Sequence, residues 1–464
     1  MDCFAALAMT DNLEKRTDDV AERLRRKVVK PGICVGCGAC VALDPSGRSV
    51  MERTAKGPQP VYAPGADLPE LAWEACPGKG VDYPQLYRDH YGALPNSWLV
   101  GPIIATRTGY AGEPAIRARG ASGGVTTQVL IHLLQSGRID AAIVVRQGIP
   151  APREASAVIA STPEEIVAAA QSVYIPVSVL DILPRLEPGK SYAATMVPEQ
   201  AAALRRLQAS GHPQARQIEW VLGPYTGTAL YPAAIETFLR SNGVRKDDPV
   251  TSLEWRAGDW PGYLEIRTAS GKVLRSKKVY YNFLIPFFVT RASLQSMDFA
   301  NEFCDLSVGD AWSPKFEAEG GGHSVVVTRS AKMEAVVQEM VERGMLALER
   351  VDDLAATEMH GHMIDFKKRG GYLRNRWRRM TGRAAPDYGM HPETVPASRR
   401  AVEVAISSIF AVGATPPARF FLRLIPEKVI GPVFNKARLG WKNMSKPTKR
   451  KGLADFKMIV DDPE

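Results

Sequence analysis

The chain has 464 residues, 45% hydrophobic and 23% charged, the proportions of an ordinary globular protein of roughly two to three domains. No run of about 18 uninterrupted apolar residues occurs, which excludes a plain spanning helix; the best stretch, Ala401 to Ala414, is short and holds Glu403. The net charge of +9 is uneven: 20 Lys/Arg against 5 Asp/Glu between Asp365 and Lys451 give a local +15 and leave −6 elsewhere, so the basic character belongs to the C-terminal region.

In chain order, MDCFAALAMTDNLEKR lacks a basic start followed by an apolar core, so export by a signal peptide is not expected. Residues 1–30 read as a polar helix ending in the basic run Arg23 to Lys30, and Pro31-Gly32 breaks it. A loop-rich cysteine segment follows through Pro84. From Ile103 to Asp310 the pattern is mixed α/β. VTTQVLIHLLQSG has helical period with Gly137 as its stop, and IDAAIVV reads as a buried strand. TPEEIVAAAQ has a Thr162 cap, a first-turn proline and early carboxylates, so it is a helix. EQAAALRRLQASG is another. IEWVLG, YLEIRTASGKVLRSKKVYY and DLSVGD carry strand signals, the second as a hairpin around Ser270-Gly271. HSVVVTRS is a further strand before the helix AKMEAVVQEMVERG. A basic, loosely amphipathic tail begins near residue 355. It reads equally as an interfacial segment or as a solvated, partly disordered one.

The six cysteines do not suit a disulfide scaffold in a chain of this length. Cys34, Cys37, Cys40 and Cys76 cluster in the first 80 residues, while Cys3 and Cys304 stand alone. The order is Cys34-x2-Cys37-x2-Cys40, then Cys76-Pro77. Two-residue spacings let thiolates converge on one face of a tight loop, and Gly36 and Gly38 allow the backbone to wrap. The bacterial ferredoxin run C-x2-C-x2-C-x3-C-P sends its fourth cysteine to a second cluster. Here that position is Asp44, followed by Pro45, so Cys76 is the natural remote fourth ligand of a single [4Fe–4S] cluster. Zinc and a chance grouping of unliganded thiols are the alternatives, but structural zinc usually takes paired C-x2-C knuckles.

RARGASGGVTTQ places Gly120, Ser122, Gly123 and Gly124 just before a helix. It reads either as an ordinary helix start or as a site where backbone N–H groups meet an anionic group such as a dinucleotide pyrophosphate. NEFCDLSVGDAW is a strand ending in a polar turn with Asp305, Ser307, Gly309 and Asp310, which turn chemistry alone can explain. His360 and His362 read as surface residues. No motif supports nucleic-acid binding.

Together, CVGCGAC with a later ACPG, RARGASGGVTTQVLIHLLQSGRIDAAIVV, QSVY and FANEFCDLSVGDAW resemble the coenzyme F420 hydrogenase/dehydrogenase beta-subunit family, from about Gly32 to Arg329. The resemblance implies cluster ligation by Cys34, Cys37, Cys40 and Cys76. It also implies FAD contacts near Ser122, Gly123, Gly124, Thr126, Ser172, Tyr174 and Asp310. The implied fold is mixed α/β (α+β): a small ferredoxin-like cluster segment on a flavin-binding body with a basic helical C-terminal tail. The expected division is 1–30 for the N-terminal helix, 31–100 for the cluster segment, 101–355 for the flavin-binding domain and 356–464 for the basic extension. Departures from the family pattern narrow this. A Pro-Cys-Gln segment is replaced by Pro198-Glu199-Gln200, and a further C-x2-C by the stretch from Arg291 to Ser296. One cluster, not two, is therefore expected, with Cys304 as buried packing.

The function implied is an oxidoreductase passing electrons between a two-electron donor, reduced coenzyme F420 among the candidates, and an acceptor, a partner subunit or a ferredoxin. No side chain stands out as acid or base; Tyr174 and Glu199 are the nearest. The rivals are a stand-alone reductase of an organic substrate, such as a pigment or polymer precursor, and a non-catalytic binding protein on a decayed redox scaffold. The expected location is cytoplasmic, with peripheral contact at the inner membrane face through the basic C-terminal region.

Overall fold

The computed structural model describes residues 19–445, 453 and 455–461. Cys3, the first 18 residues of the expected N-terminal helix and the basic positions 446–452 lie outside the described residues.

Strands β1 (Ser49–Thr54) and β2 (Gly57–Tyr62) make an antiparallel hairpin in which Ser49 faces Tyr62. The body is built from β3 (Ala105–Ala111), β4 (Ala141–Gln147), β5 (Ala155–Ala160), β6 (Tyr192–Thr195) and β7 (Ile218–Pro224). Strands β8 (Val250–Ala257), β9 (Tyr263–Thr268) and β10 (Val273–Lys277) form a separate three-stranded sheet. The chain then returns to the body with β11 (Leu306–Asp310), β12 (Ser324–Thr328) and β13 (Leu346–Arg350). Short strands β14 (Met390–Pro392) and β15 (Met458–Val460) pair with each other.

The main sheet runs β13-β3-β12-β11-β7-β6-β4-β5. Its centre, β11-β7-β6-β4, is parallel, and antiparallel strands flank it on both sides. Parallel neighbours need crossovers long enough to carry a helix, and Pro198–Ala209 supplies the one between β6 and β7. Strand alternation sorts the two faces. Ala142, Val144, Ala193 and Leu222 pack with the helices Val125–Gln135 and Ala331–Glu342. Ala141, Ile143, Ala194 and Val221 face the other way, onto Leu204 and Leu207 and onto Leu24, Val28, Ala72, Tyr83 and Tyr87 of the cysteine segment. One core thus joins the cysteine segment to the sheet.

The fold is the mixed α/β arrangement expected, and the elements that the periodicity predicts fall close to their expected places, among others that it does not mark. Thr162 caps Pro163–Ala168, accepting from the Glu165 N–H at 3.3 Å. The helix Val125–Gln135 stops just before Gly137, whose φ of +68° closes the turn. β9 and β10 form the expected hairpin around Gly271. Its last residues differ: Lys278–Tyr281 is helical, because Tyr281 turns inward to hydrogen-bond the Trp255 carbonyl at 3.2 Å.

The tail is helical as expected, with Asp353–Met380, Ala397–Gly413, Pro416–Leu422 and Glu427–Ser445. The correction concerns its solvation, since within the described residues Asp353–Met380 is largely packed into the body while the later helices keep exposed faces. Much of its charge is buried and paired. Lys368 meets Glu302 at 2.5 Å, Arg369 and Arg399 share Asp365, and Arg374 and Arg399 share Glu403. Such pairs are costly to break, about 3–5 kcal/mol each when one partner is removed. His360 is likewise no surface residue: it is 4% exposed and donates to the Asp310 carbonyl at 2.7 Å. No single described helix is long and apolar enough to cross a membrane; Ala397–Gly413 and Pro416–Leu422 have that length and composition only as a pair bent by 75°.

Candidate cofactor sites

The four clustered cysteines come together. Cys34, Cys37, Cys40 and Cys76 line one cavity with Leu24, Val28, Met51, Tyr62 and Ala72. Glycine makes the wrap possible. Gly38 has φ +91°, and a Cβ there would collide with Ser178 and Asp181 of the body. The loop is pinned at the same point, since the N–H groups of Val179 and Leu180 donate to the Cys37 carbonyl at 3.2 and 2.8 Å.

The sulfurs receive hydrogen bonds. The Gly36 N–H reaches Cys34 Sγ at 3.4 Å and the Tyr62 hydroxyl reaches Cys40 Sγ at 3.2 Å. Backbone N–H groups of Ala39 and Val41 address Cys37 and Cys40, and those of Lys79 and Gly78 address Cys76. Burial is nonetheless the larger influence and pushes all four thiols up, Cys40 to about 12. Cys34, Cys37 and Cys40 also repel their neighbours as thiolates. Four thiolates in this dry space therefore need a positively charged core to hold them. The thiolate donor set lining one cavity, with N–H groups aimed at the sulfurs, fits an iron–sulfur cluster.

The expected flavin residues converge in part. Arg256, 3% exposed, is the hub. Its guanidinium donates to the Ala121 carbonyl at 2.5 Å, the Tyr174 hydroxyl at 3.1 Å, the Asp310 carboxylate at 3.1 Å and the Pro261 carbonyl at 2.6 Å. Trp260 Nε1 also donates to Asp310 at 3.0 Å, and Lys278 Nζ to Tyr174 at 2.7 Å. Burial alone would push the Tyr174 phenol up, but the Lys278 ammonium and Arg256 guanidinium bring it down to about 8. Burial likewise opposes ionisation of Asp310, and Arg256 holds it below the usual carboxylate range.

The glycine turn lies against the start of β12. Ser122 Oγ contacts Ser324 Oγ at 2.7 Å, and the Gly123 N–H donates to the same Ser324 oxygen at 3.0 Å. Gly124, at φ +75°, leads into Val125–Gln135 with no side chain capping the helix. His323 Nδ1 and Trp255 Nε1 are buried without hydrogen-bond partners. An uncapped helix start, beside a turn whose Ser122 bonds the carbonyl of His323, fits an anionic cofactor group. Thr126 and Ser172 are half-buried and join none of these hydrogen bonds. Sequence reasoning missed Arg256, Lys278 and Trp260, which belong to the smaller sheet and the turns around it and have no spacing that marks them. Tyr62 was missed for the same reason.

The positions that depart from the family pattern also have a definite setting. Lys367, fully buried, donates from Nζ to the Ser293 carbonyl at 2.8 Å. Burial lowers its ammonium to about 8, and the carboxylate of Glu199 works against that shift. A lysine thus lies against Ser293 and within the electrostatic reach of Glu199. Cys304 is 0% exposed, and burial pushes its thiol up to about 12, as expected of packing.

The chain is thus a mixed α/β scaffold with a cysteine chamber on one face of its main sheet and a buried basic–acidic hub where Asp310, at the end of β11, meets Arg256 of the smaller sheet. Two models of the coenzyme F420 hydrogenase/dehydrogenase beta-subunit family match along the chain, that of the family's N-terminal part over residues 106–184 and that of its C-terminal part over residues 189–354. The chain belongs to this family of oxidoreductases. It is 24% identical over 365 residues to the coenzyme F420-dependent sulfite reductase of Methanocaldococcus jannaschii, covering 74% of this chain. The chain spans about half the length of that relative, 52%. It is also similar to a chain of the F420-reducing [NiFe] hydrogenase complex from Methanosarcina barkeri, with 17% identity, a TM-score of 0.49, and coverage of 63% of this chain and 98% of that one.

Proposed function

We propose that the chain is a flavin- and [4Fe–4S]-dependent oxidoreductase, passing electrons between a two-electron donor and an acceptor or partner subunit. The observation that carries this reading is the convergence of Cys34, Cys37, Cys40 and Cys76 on one cavity with hydrogen bonds directed at their sulfurs. Those four residues would hold the cluster, and the buried Lys367 against Ser293, where relatives carry a further cysteine pair, favours one cluster only. FAD contacts are assigned to Ser122, Gly123, Gly124, Thr126, Ser172, Tyr174 and Asp310. A flavin supplies two-electron chemistry and a cluster supplies one-electron transfer. The protein's own part is to exclude water, direct hydrogen bonds at sulfur and hold Tyr174 with Lys278 as a proton-exchanging pair. The F420-dependent relative makes reduced coenzyme F420 the first donor to try.

The test is the absorption spectrum of anaerobically purified protein. A flavin band with a broad iron–sulfur shoulder is expected, followed by bleaching on addition of the reduced donor. Neither feature after reconstitution would sink the proposal. A decayed scaffold loses support because all four thiols still share one chamber. Turnover without any partner would favour the stand-alone reductase reading.

The proposed location is the cytoplasm, with contact at the inner membrane face. Between Val404 and Ser445 the only acidic residue is Glu427, which is buried on Ser276. Phe420, Phe421, Leu424, Val429 and Val433 are each more than half exposed there, among exposed Arg423, Lys428 and Lys436. Apolar and cationic exposure without acids suits an anionic lipid surface.

A further inference from the structure

A basic concavity lies outside both cofactor sites. It is an open cavity of about 760 Å³, lined by Arg26, Lys27, Arg291, Arg378, Arg379 and Arg383, with Pro31, Gly382 and Ala384 between them. No carboxylate lines it. That volume falls in the range of small-molecule pockets, roughly 300–1,000 Å³, but the lining is cationic where such pockets are usually apolar.

Most of these charges lack a carboxylate partner. Of the lining cations only Arg379 has an ion pair among the described residues, with Asp387 at 4.0 Å, and Arg26, Lys27 and Arg383 are exposed. Several heads are instead fixed by backbone oxygens. Arg378 Nε donates to the Ala384 carbonyl at 2.9 Å, Arg379 Nη1 to the Pro386 carbonyl at 2.9 Å, and Arg291 to the Pro31 carbonyl. Burial lowers the Arg378 guanidinium, and the neighbouring charges of Arg291 and Arg383 lower it further, so the heads are close enough to repel. Three separate segments bring this repulsion to one spot: the turn Arg25–Val29, the helix beginning at Arg291, and the end of Asp353–Met380 with its following turn. A solvated basic face would splay its side chains; fixed guanidinium forks around a hollow match phosphate or carboxylate oxygens.

We propose that this cavity is a binding site for an oligoanionic small molecule, one carrying two or more phosphate or carboxylate groups. A single monovalent anion would leave most of the cations uncompensated, and a concavity of this size admits a small molecule without a protein surface around it. The site is also one turn of chain from the cysteine chamber: Val28 and Val29 line the chamber while Arg26 and Lys27 of the same turn line the basic cavity. A ligand held there adds negative charge beside the thiolates. Binding itself needs neither cluster nor flavin, so it stands apart from the proposed redox function.

The test is calorimetric titration of the full chain with tripolyphosphate and with citrate at physiological salt, with chloride at matched ionic strength as the control. Saturable binding of at least one oligoanion is expected. Affinity should fall at least tenfold in the double variant Arg26→Gln/Lys27→Gln and in the single variant Arg383→Gln. All three residues are exposed, so both variants should fold, and unchanged melting temperatures would show that they do. Arg245→Gln, on a remote exposed pair, should bind as the parent does. The proposal is overturned if neither oligoanion binds, if the variants bind as well as the parent, or if only an acidic protein binds, which would make the surface a docking patch.

Discussion

The Tyr62 hydroxyl donates to the Cys40 sulfur at 3.2 Å, bringing the end of the β1–β2 hairpin to the cysteine loop. Burial and the nearby sulfurs push the phenol well above its ordinary value, so it stays a donor throughout the working pH range. A hydrogen bond to a cluster sulfur is worth more when the cluster gains an electron. Tyr62→Phe is expected to lower the cluster potential by about 40 mV, the equivalent of roughly 1 kcal/mol for one electron. Redox titration followed by electron paramagnetic resonance measures this; an unchanged potential would remove Tyr62 from the cluster's surroundings.

The cysteines carry a second expectation. In cluster-free protein the folded thiols ionise above the ordinary value of 9.0, Cys40 at about 12. The unfolded chain therefore loses its protons first as pH rises. Cluster-free protein should be less stable as pH climbs past about 9, and its folded thiols should alkylate slowly below that pH. Denaturation midpoints across pH, with and without the cluster, test the sign. Midpoints that rise with pH in the cluster-free form would contradict it.

Tyr174 titrates in the opposite sense. Its phenol is brought down to about 8 from 10.0, despite burial, by Lys278 and Arg256. Its stabilising contribution is therefore full above pH 10 and is lost as pH falls through about 8. A phenolate absorbance step near pH 8 is expected, absent in Tyr174→Phe and moved upward in Lys278→Met.

Arg256 joins the glycine turn, Tyr174 and Asp310 from within the core. Arg256→Met leaves the Asp310 carboxylate without its guanidinium. The expected loss is about 3–5 kcal/mol in chemical denaturation. A loss below ~1 kcal/mol would mean that water already reaches the hub.

The exposed apolar residues near the C-terminal end give a membrane prediction. The parent protein should float with vesicles rich in anionic lipid and sediment without them. Phe420→Asp/Phe421→Asp should abolish flotation while leaving the melting temperature nearly unchanged, since both rings point outward. Flotation that survives the double change would move the contact elsewhere.

The sequence made some of this legible and hid the rest for physical reasons. Val125–Gln135 and the strands β4, β7, β9, β10, β11 and β12 announce themselves because one face or both must be apolar, whereas β5, β6 and β8 carry no such plain signal. The convergence of the cysteine loop is equally plain, because its spacing and glycines let the thiols meet. The helix Asp353–Met380 is different. Lys367, Lys368, Arg369 and Arg374 look like a solvated run, and the distant Ser293 carbonyl, Glu302 and Glu403 explain why Lys367, Lys368 and Arg374 are inside, while Arg369 pairs locally with Asp365. Arg256 shows the same limit: its partners lie between 5 and 135 residues away in the chain. Long-range charge pairing has no period to read.

The shared core beneath the cysteine loop has one more consequence. Ile143 and Ala194 of the sheet and Leu24 and Tyr83 of the cysteine segment belong to one hydrophobic cluster. The segment is thus a cladding, not a detachable module. Severing the chain near residue 100 would bare the sheet on one side and leave the cysteine loop without an interior. Transplanting the loop onto another scaffold would therefore require carrying the matching sheet face with it.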